Sequence, residues 1–362
     1  MKNILIIYRA LSSGSFQYAG MEKMLLWLGN TLADLGHTVT FCTLYDTERC
    51  VKYSNKVKSI ELGISYSNSF IRRNLDTFYH GFKRIHKFLI HNNFDYVINF
   101  GDISFFLALL LRRRLTFKLI TSERGDPYNY SSFLDRLKQR FLYKSDYLVF
   151  QTDGARNFYS NINPERTFII PNPIVIPDKQ WKQENTKKSI AYVGRLDFKQ
   201  KRIDVLLEAF SKVSCFHPDY KLDIYGSGDI VQLKNIIKEK SLMKSVVIHG
   251  AVNDVGDRLL LSEMFILTSD FEGIPNSLLE AMALGLPVIS TDCSPGGAAM
   301  LIRNMENGIL VNRGDVESLV SSIKYLIENK ENAKILGINA RLSMTSFTPQ
   351  QIINLWHEII NK

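Results

Sequence analysis

"MFILTSDFEGIPNSLLEAMALGLPVISTD" runs from Met264 to Asp292 and contains a complete folding unit. The apolar run to Leu267 reads as a strand, and Gly273 and Pro275 punctuate the turn that follows. Leu278, Leu279, Met282 and Ala283 give the next segment one buried helical side, with Pro275 suited to its first position and Gly285 to its end. "PVISTD" is then a second strand. Strands joined by a helical crossover lie parallel, so the stretch predicts a parallel sheet covered by helices. Between Asp270 and Asp292 the only charges are Glu272 and Glu280. Glu272 precedes the turn and Glu280 lies more than one turn inside the helix, so neither caps it. They read as two grips on one polar ligand. The amides of Asn276, Ser277 and Leu278 would point out of the helix N-terminus, an arrangement that suits an anion.

The same alternation extends in both directions. Upstream in this half it restarts at "SIAYVGRL" (Ser189–Leu196) and passes through "VLLEAFSKV", "YKLDIYGSG", "QLKNIIKEKSL" and "SVVIHGAV". Downstream it ends with "DVESLVSSIKYLIEN". Near the N-terminus "NILIIY", "HTVTFCTL", "DYVINF", "FKLITSE" and "DYLVFQT" alternate with helical stretches. "FIIPNPIVIPDKQW" (Phe168–Trp181) breaks the rhythm with three prolines and reads as a linker. At 362 residues two domains are expected. The reading is an α/β chain with Rossmann-like parallel-sheet domains at residues 1–172 and 173–345, facing across a cleft. Residues 346–362 form a terminal helix. Ligands of such sheets sit at the carboxyl ends of strands.

Composition narrows the class. The chain is 45% hydrophobic and 22% charged, as a soluble globular protein is. Its apolar run "ISFFLALLL" (Ile103–Leu111) falls well short of the about 20 residues a membrane span needs. "MKNILIIYRA" lacks the features of a signal peptide and reads as a first strand. Cys42, Cys50, Cys215 and Cys293 show no metal or redox spacing, and the seven histidines show no ligand spacing, so a reduced cytoplasmic protein is expected. Residues 1–180 hold 24 Lys and Arg against 15 Asp and Glu, which accounts for the whole net charge of +9. These charges form solvated helix faces or attract an anionic membrane. Phe78, Phe82, Ile85, Phe88 and Leu89 recur at a spacing that serves an interfacial helix or a core face equally. No nucleic-acid motif accompanies the charge.

Three further loops lie at strand-to-helix junctions. In "GRLDFKQKRIDVLLEAF" (Gly194–Phe210), Arg195 and Lys201 flank a turn, with Lys199 and Arg202 close by; a guanidinium and an ammonium there suit a diphosphate. "YGSGD" (Tyr225–Asp229) offers Gly226 for close backbone approach. "SSGSFQYAGMEKM" (Ser12–Met24) opens onto a helix at Gly20, another candidate phosphate contact.

Together these residues resemble the retaining GT-B glycosyltransferases of family 4, along nearly the whole chain. Gly20 and Glu22, "LADLGHTVT", "SDYLVFQTDGAR", "IIPNPI", "VGRL…KRIDVLLEAF", "EGIPNSLLEAMALGLPVISTDC" and "FTPQQIINLWHEII" carry the match. The resemblance implies that Glu272 contacts the donor sugar near its anomeric carbon and that Glu280 binds the ribose hydroxyls. Arg195 and Lys201 would neutralise the leaving diphosphate, helped by Gly194, Gly226, the Gly20 loop and the amides from Asn276 to Leu278. It further implies retention by front-face attack with no metal and no other cofactor, consistent with the absence of an Asp-x-Asp motif. The donor would be a UDP-hexose or UDP-N-acetylhexosamine. The acceptor would be a lipid-linked oligosaccharide of capsule or other surface polysaccharide synthesis, bound by the first domain at the inner membrane face. The terminal helix, with Trp356 as packing anchor, would cross back to that domain.

Two departures matter. Where many members carry a histidine, "TSERGDP" (Thr121–Pro127) has Arg124, and Arg124 or Asp126 is the candidate replacement on the acceptor or sugar side. The interval from Arg195 to Lys201 is one residue longer than in many members, which leaves Lys199 a rival for the phosphate. Two other classes stand beside the transferase: a non-catalytic nucleotide-sugar-binding partner and a nucleotide-sugar epimerase of the same shape. The complete set of Glu272, Glu280, Arg195 and Lys201 argues against the first.

Overall fold

The structure, a computed structural model, describes residues 1–8, 20–45, 54–64, 77–101, 103–112 and 115–362. The chain divides into two compact units. The first comprises Met1–Gln151, Arg156–Ile170 and Ile352–Lys362; the second comprises Thr152–Ala155 and Pro171–Gln351.

In the first unit the order is β1 (Asn3–Tyr8), α1 (Gly20–Asp34), β2 (Thr38–Tyr45), β3 (Val57–Ile64), α2 (Phe82–Ile90), β4 (Tyr96–Asn99), α3 (Ile103–Leu111), β5 (Lys118–Glu123), α4 (Phe133–Phe141), β6 (Tyr147–Phe150), α5 (Asp153–Phe158, of which Asp153–Ala155 count with the second unit) and β7 (Thr167–Ile169). Among the described residues the sheet has seven strands in the order β3-β2-β1-β4-β5-β6-β7, and every pairing is parallel. Central strands of a parallel sheet are covered on both faces, which is why "NILIIY" and "YVIN" are almost unbroken apolar runs. The face-spacing of Phe82, Ile85, Phe88 and Leu89 belongs to packing: Ile85 and Leu89 are buried in the core, with Phe82 and Phe88 against it. Residues 70–76 of that basic segment, and Arg113 and Arg114, lie outside the described residues.

The second unit contains β8 (Lys187–Val193), α6 (Ile203–Phe216), β9 (Lys221–Tyr225), α7 (Ile230–Glu239), β10 (Val246–Gly250), α8 (Val255–Leu259), β11 (Ser262–Leu267), α9 (Asn276–Leu284), β12 (Val288–Thr291), α10 (Gly297–Leu301), β13 (Ile309–Val311), α11 (Val316–Glu328) and α12 (Lys330–Ser343). Its sheet runs β10-β9-β8-β11-β12-β13, again parallel throughout. Chain direction across the sheet reverses between β8 and β11, and at such a switch point the loops part and leave a crevice beyond the carboxyl ends.

The last helix, α13 (Pro349–Ile360), packs in the core of the first unit through Ile352, Ile353, Trp356, Ile359 and Ile360. Trp356 is fully buried and stacks on Phe100, with ring centroids 6.4 Å apart. His357 of this helix meets His37 edge-on at 5.5 Å. Burial holds the His37 pKa below the usual histidine range, the nearby His357 adds to the effect, and the Lys2 amide donates to its Nδ1 at 3.2 Å. Among the described residues each unit buries one thiol, Cys42 in β2 and Cys293 after β12; desolvation pushes both up to about 12. Among the described residues no helix is long and apolar enough to cross a membrane.

Candidate active site

The second unit gathers nine of the residues singled out in the sequence around its switch point: Gly194, Arg195, Lys201, Gly226, Glu272, Asn276, Ser277, Leu278 and Glu280. The first step in assembling them is backbone contact. Gly194, at the end of β8, donates its amide to Tyr225 at 3.0 Å, and a Cβ on Gly226 would stand only 1.8 Å from the Gly194 carbonyl oxygen. Gly226 also holds φ at +144°, so glycine is required here for both space and conformation. Gly297 makes a similar approach, with its would-be Cβ 1.8 Å from the Gly273 carbonyl oxygen. These two approaches let the loops after β8, β9, β11 and β12 close on one another.

The loop from Arg195 to Arg202 is then joined to the loop after β11. The Asp270 amide donates to the Gln200 carbonyl at 2.8 Å, and Thr268 Oγ1 donates to the Lys201 carbonyl at 3.0 Å. Arg202 adopts a left-handed φ of +46° and pairs with Asp204 and Asp270, each at 3.0 Å. That geometry turns Lys201 inward. Its ammonium forms an ion pair with Glu272, each side chain only 11% exposed, and Ser269 Oγ donates to the same carboxylate oxygen at 2.8 Å. Lys199, the rival on spacing, is exposed. Arg195 stays 68% exposed, but its guanidinium donates to Gln200 Oε1 at 2.7 Å. Gln200 Nε2 in turn donates to the Phe271 carbonyl at 3.1 Å.

Helix α9 begins one residue later than expected. Pro275 is its N-cap, at φ −73° and ψ 109°, and Gly285 closes it at φ +85°. Leu278 and Leu279 both donate their amides to the Pro275 carbonyl at 3.1 Å. Of the three amides assigned to an anion, Leu278's is therefore engaged within the turn, while those of Asn276 and Ser277 are the orphan donors of the helix start. Asn276 Oδ1 is fixed by Asn172 Nδ2 at 2.7 Å, a residue of the "IIPNPI" stretch. Glu280 is half-buried in the second turn.

Gly20, Arg124 and Asp126 belong to the first unit. Gly20 opens α1, and residues 12–19 of its loop lie outside the described residues. Arg124 is buried: its Nε donates to Ser122 Oγ at 2.7 Å, and its guanidinium lies over the rings of Phe100 and Trp356 at 5.3 and 6.0 Å. Burial pushes its pKa down to about 9. Asp126 caps the turn at Pro127–Asn129, accepting from the Tyr128 amide at 3.0 Å and from the Asn129 side chain. Both are thus engaged within their own unit. Beside them, Glu123 forms a buried pair with Lys138 at 2.9 Å and accepts from Tyr130.

The sequence reading missed Gln200, Ser269 and Asn172. Nothing in the sequence signalled Gln200, whose neutral amide acts only by bridging Arg195 and the Phe271 carbonyl. Chemically, the second unit offers a carboxylate, an ammonium, a guanidinium and two free helix amides at the carboxyl ends of β8, β9 and β11. Such a set favours an anion joined to a polyol. Among the described residues no group of three His, Cys, Asp or Glu is gathered to hold a metal ion.

The comparisons agree with this arrangement. The family described as "Glycosyl transferases group 1" matches residues 176–343, and "Glycosyltransferase Family 4" matches residues 18–176. The chain is a GT-B glycosyltransferase of the group 1/family 4 type. An uncharacterized glycosyltransferase of Haemophilus influenzae is 28% identical over 352 residues, covering 94% of this chain and 96% of the relative. At 25% identity over 373 residues, a Campylobacter jejuni relative covers 99% of this chain and 98% of its own; it is named as a GalNAc-alpha-(1->4)-GalNAc-alpha-(1->3)-diNAcBac-PP-undecaprenol alpha-1,4-N-acetyl-D-galactosaminyltransferase. The solved structure of Anabaena HepE in complex with UDP-glucose shares the fold at TM-score 0.81 and 15% identity, with full coverage of both chains. Within this glycosyltransferase the group 1 match spans the Lys201–Glu272 site, and the family 4 match spans most of the first sheet.

Proposed function

We propose that this glycosyltransferase moves a hexose or N-acetylhexosamine from a UDP-sugar to a lipid-linked oligosaccharide of surface polysaccharide synthesis, at the inner membrane face and with retention of anomeric configuration. The observation that carries the reading is the Lys201–Glu272 pair beside the free amides of α9, which puts positive and negative groups within one ligand's reach. Support for the donor comes from the UDP-glucose complex of the HepE fold relative, and for the acceptor from the undecaprenol-linked substrate in the name of the Campylobacter relative.

In the reaction the bond from the anomeric carbon to the diphosphate oxygen breaks, and its electron pair leaves with UDP. The acceptor hydroxyl oxygen bonds to the anomeric carbon from the same face, and its proton passes to the leaving phosphate oxygen. Glu272 lies against the oxocarbenium-like charge. Lys201, Arg195 and the Asn276 and Ser277 amides stabilise the departing diphosphate, each contributing up to about 3 kcal/mol by analogy with an oxyanion hole. This much fixed positive charge performs the role a divalent metal has elsewhere, so transfer is expected to persist in chelator. Glu280 holds the ribose hydroxyls.

The test is slow UDP release from a panel of UDP-glucose, UDP-galactose and their N-acetylhexosamine counterparts, with wild type and Glu272→Ala. Release by wild type from at least one donor, lost in the variant, is expected. Nucleotide binding without release from any donor would overturn the reading in favour of a binding partner. Interconversion of the donor sugar without an acceptor would point to an epimerase.

A further inference from the structure

A groove lies on the first unit between α3 and α4, with a volume of about 810 Å³, inside the roughly 300–1,000 Å³ range of ligand pockets. Phe106, Leu109 and Leu110 of α3 and Leu137 and Phe141 of α4 form its walls. The cations at its rim are Arg112, Lys144 and Arg166, with Asp146 the one acid among them. Arg166 is fixed by donating to the Asp146 and Tyr143 carbonyls at 2.9 and 3.1 Å, and Arg112 by its ion pair with Asp146. Lys144 lies over the Phe141 ring at 4.8 Å. The polar groups thus gather at one end, beside the starts of β5 and β6, and the walls offer a soluble ligand almost nothing to bond.

We propose that this groove docks the protein on an anionic bilayer, taking a lipid acyl chain along α3 and α4 and the lipid phosphate on Arg112, Lys144 and Arg166. Three cations against one carboxylate leave a net positive rim that complements a phosphate head, and the five apolar side chains complement a hydrocarbon tail. Two further observations point the same way. Leu110, Phe133 and Tyr143, exposed by 42%, 77% and 52%, stand on or beside the same two helices, as residues that enter an interface do. The sequence continues from Arg112 with Arg113 and Arg114, and the excess charge of the chain lies in this half. The basic segment around α2 is a poorer candidate, because its apolar face is spent in the core. This inference rests on the membrane-face reading above, but it concerns a surface at the amino ends of the first sheet, apart from the Lys201–Glu272 site in the second unit.

The test is co-sedimentation of the full chain with phosphatidylcholine vesicles, with and without phosphatidylglycerol, at low and high salt. Leu110→Glu puts a carboxylate where the chain would lie; Lys144→Glu reverses a rim charge. Wild type is expected to pellet with the anionic vesicles. Leu110→Glu should weaken that binding at least about tenfold at both salt concentrations, since a charge among acyl chains is costly. Lys144→Glu should weaken it mainly at low salt. Pelleting of Leu110→Glu like wild type, or no wild-type pelleting with either vesicle, would overturn the proposal. So would conversion of a dimer to a monomer by Leu110→Glu, which would make a second copy the occupant. Unchanged melting curves and UDP binding in both variants confirm that the fold is intact. UDP release from the donor panel, read without vesicles, reports the transferase reading separately.

Discussion

Lys201 and Glu272 are 71 positions apart in sequence and form one buried ion pair. Removing one partner leaves the other charged and desolvated, so Glu272→Ala should cost about 3–5 kcal/mol in denaturant unfolding of the second unit. Glu272→Gln, which can still accept from Ser269, should cost clearly less while abolishing transfer just as fully. Equal destabilisation by the two variants would show that the charge, which both lack, accounts for the whole cost and that the Ser269 hydrogen bond contributes little. Gln200 calls for a different readout. Gln200→Ala frees the Arg195 guanidinium without uncovering a charge, so stability should change by less than about 1 kcal/mol. The turnover number should fall roughly tenfold with KM little altered, because Arg195 would act on the leaving group in the transition state. At this scale the two acids stood out in the sequence, because charge in an apolar run is conspicuous, whereas Lys201 lies in the charged run from Asp197 to Asp204 and shared its reading with Lys199. The pairing of Lys201 with Glu272 was not legible, since sequence separation conceals contact. Gln200 was not legible either, because a neutral amide matters only through what it bridges. Arg124 was read as a candidate sugar contact on its position alone; its enclosure by Phe100 and by Trp356, 232 residues later, depends on the last helix.

Among the elements, the turns after β8 and β9 leave no room for an added side chain. Gly226→Ala would force a Cβ into the Gly194 carbonyl and strain a backbone at φ +144°, so a loss of at least about 2 kcal/mol and weakened UDP binding are expected by calorimetry. Helix α13 supplies a pH dependence. Because the folded His37 pKa lies below the ordinary histidine value of about 6.5, the unfolded chain binds the extra proton first as pH falls. The stability from neutral His37 is present above pH about 6.5 and is lost as pH drops from there through the folded pKa. Melting temperature followed from pH 8 to 5 should decline more steeply in wild type than in His37→Gln. Most parallel strands were legible from apolar runs and helical crossovers, but β3 and the short β13 went unread, and β7 fell in the stretch from Phe168 that reads as a linker. The amphipathic spacing of α2 could not decide between core and membrane, since both reward the same face. The start of α9 was off by one because Pro275 was given the first helical position that proline favours, whereas its extended ψ of 109° makes it the N-cap.

For the whole molecule, the division into two parallel-sheet units followed from length and the restarted rhythm, whereas the α3–α4 groove did not. "ISFFLALLL" is apolar but for Ser104, so no periodicity marks which of its residues the fold leaves open. Charge asymmetry was visible at this scale, but only the fold places Arg112, Lys144 and Arg166, 54 residues from first to last, on one rim. A final consequence comes from the two buried thiols. Cys42 is in one unit and Cys293 in the other, both inert at neutral pH, whereas Cys215 is exposed. A brief alkylation pulse followed by peptide mass spectrometry should mark Cys215 at once and leave Cys42 and Cys293 unmodified. With rising urea, each hidden sulfur becomes a clock for its own half of the enzyme. The natural chain thereby carries a two-channel record of opening, and a donor nucleotide held by the second unit should delay the Cys293 channel directly.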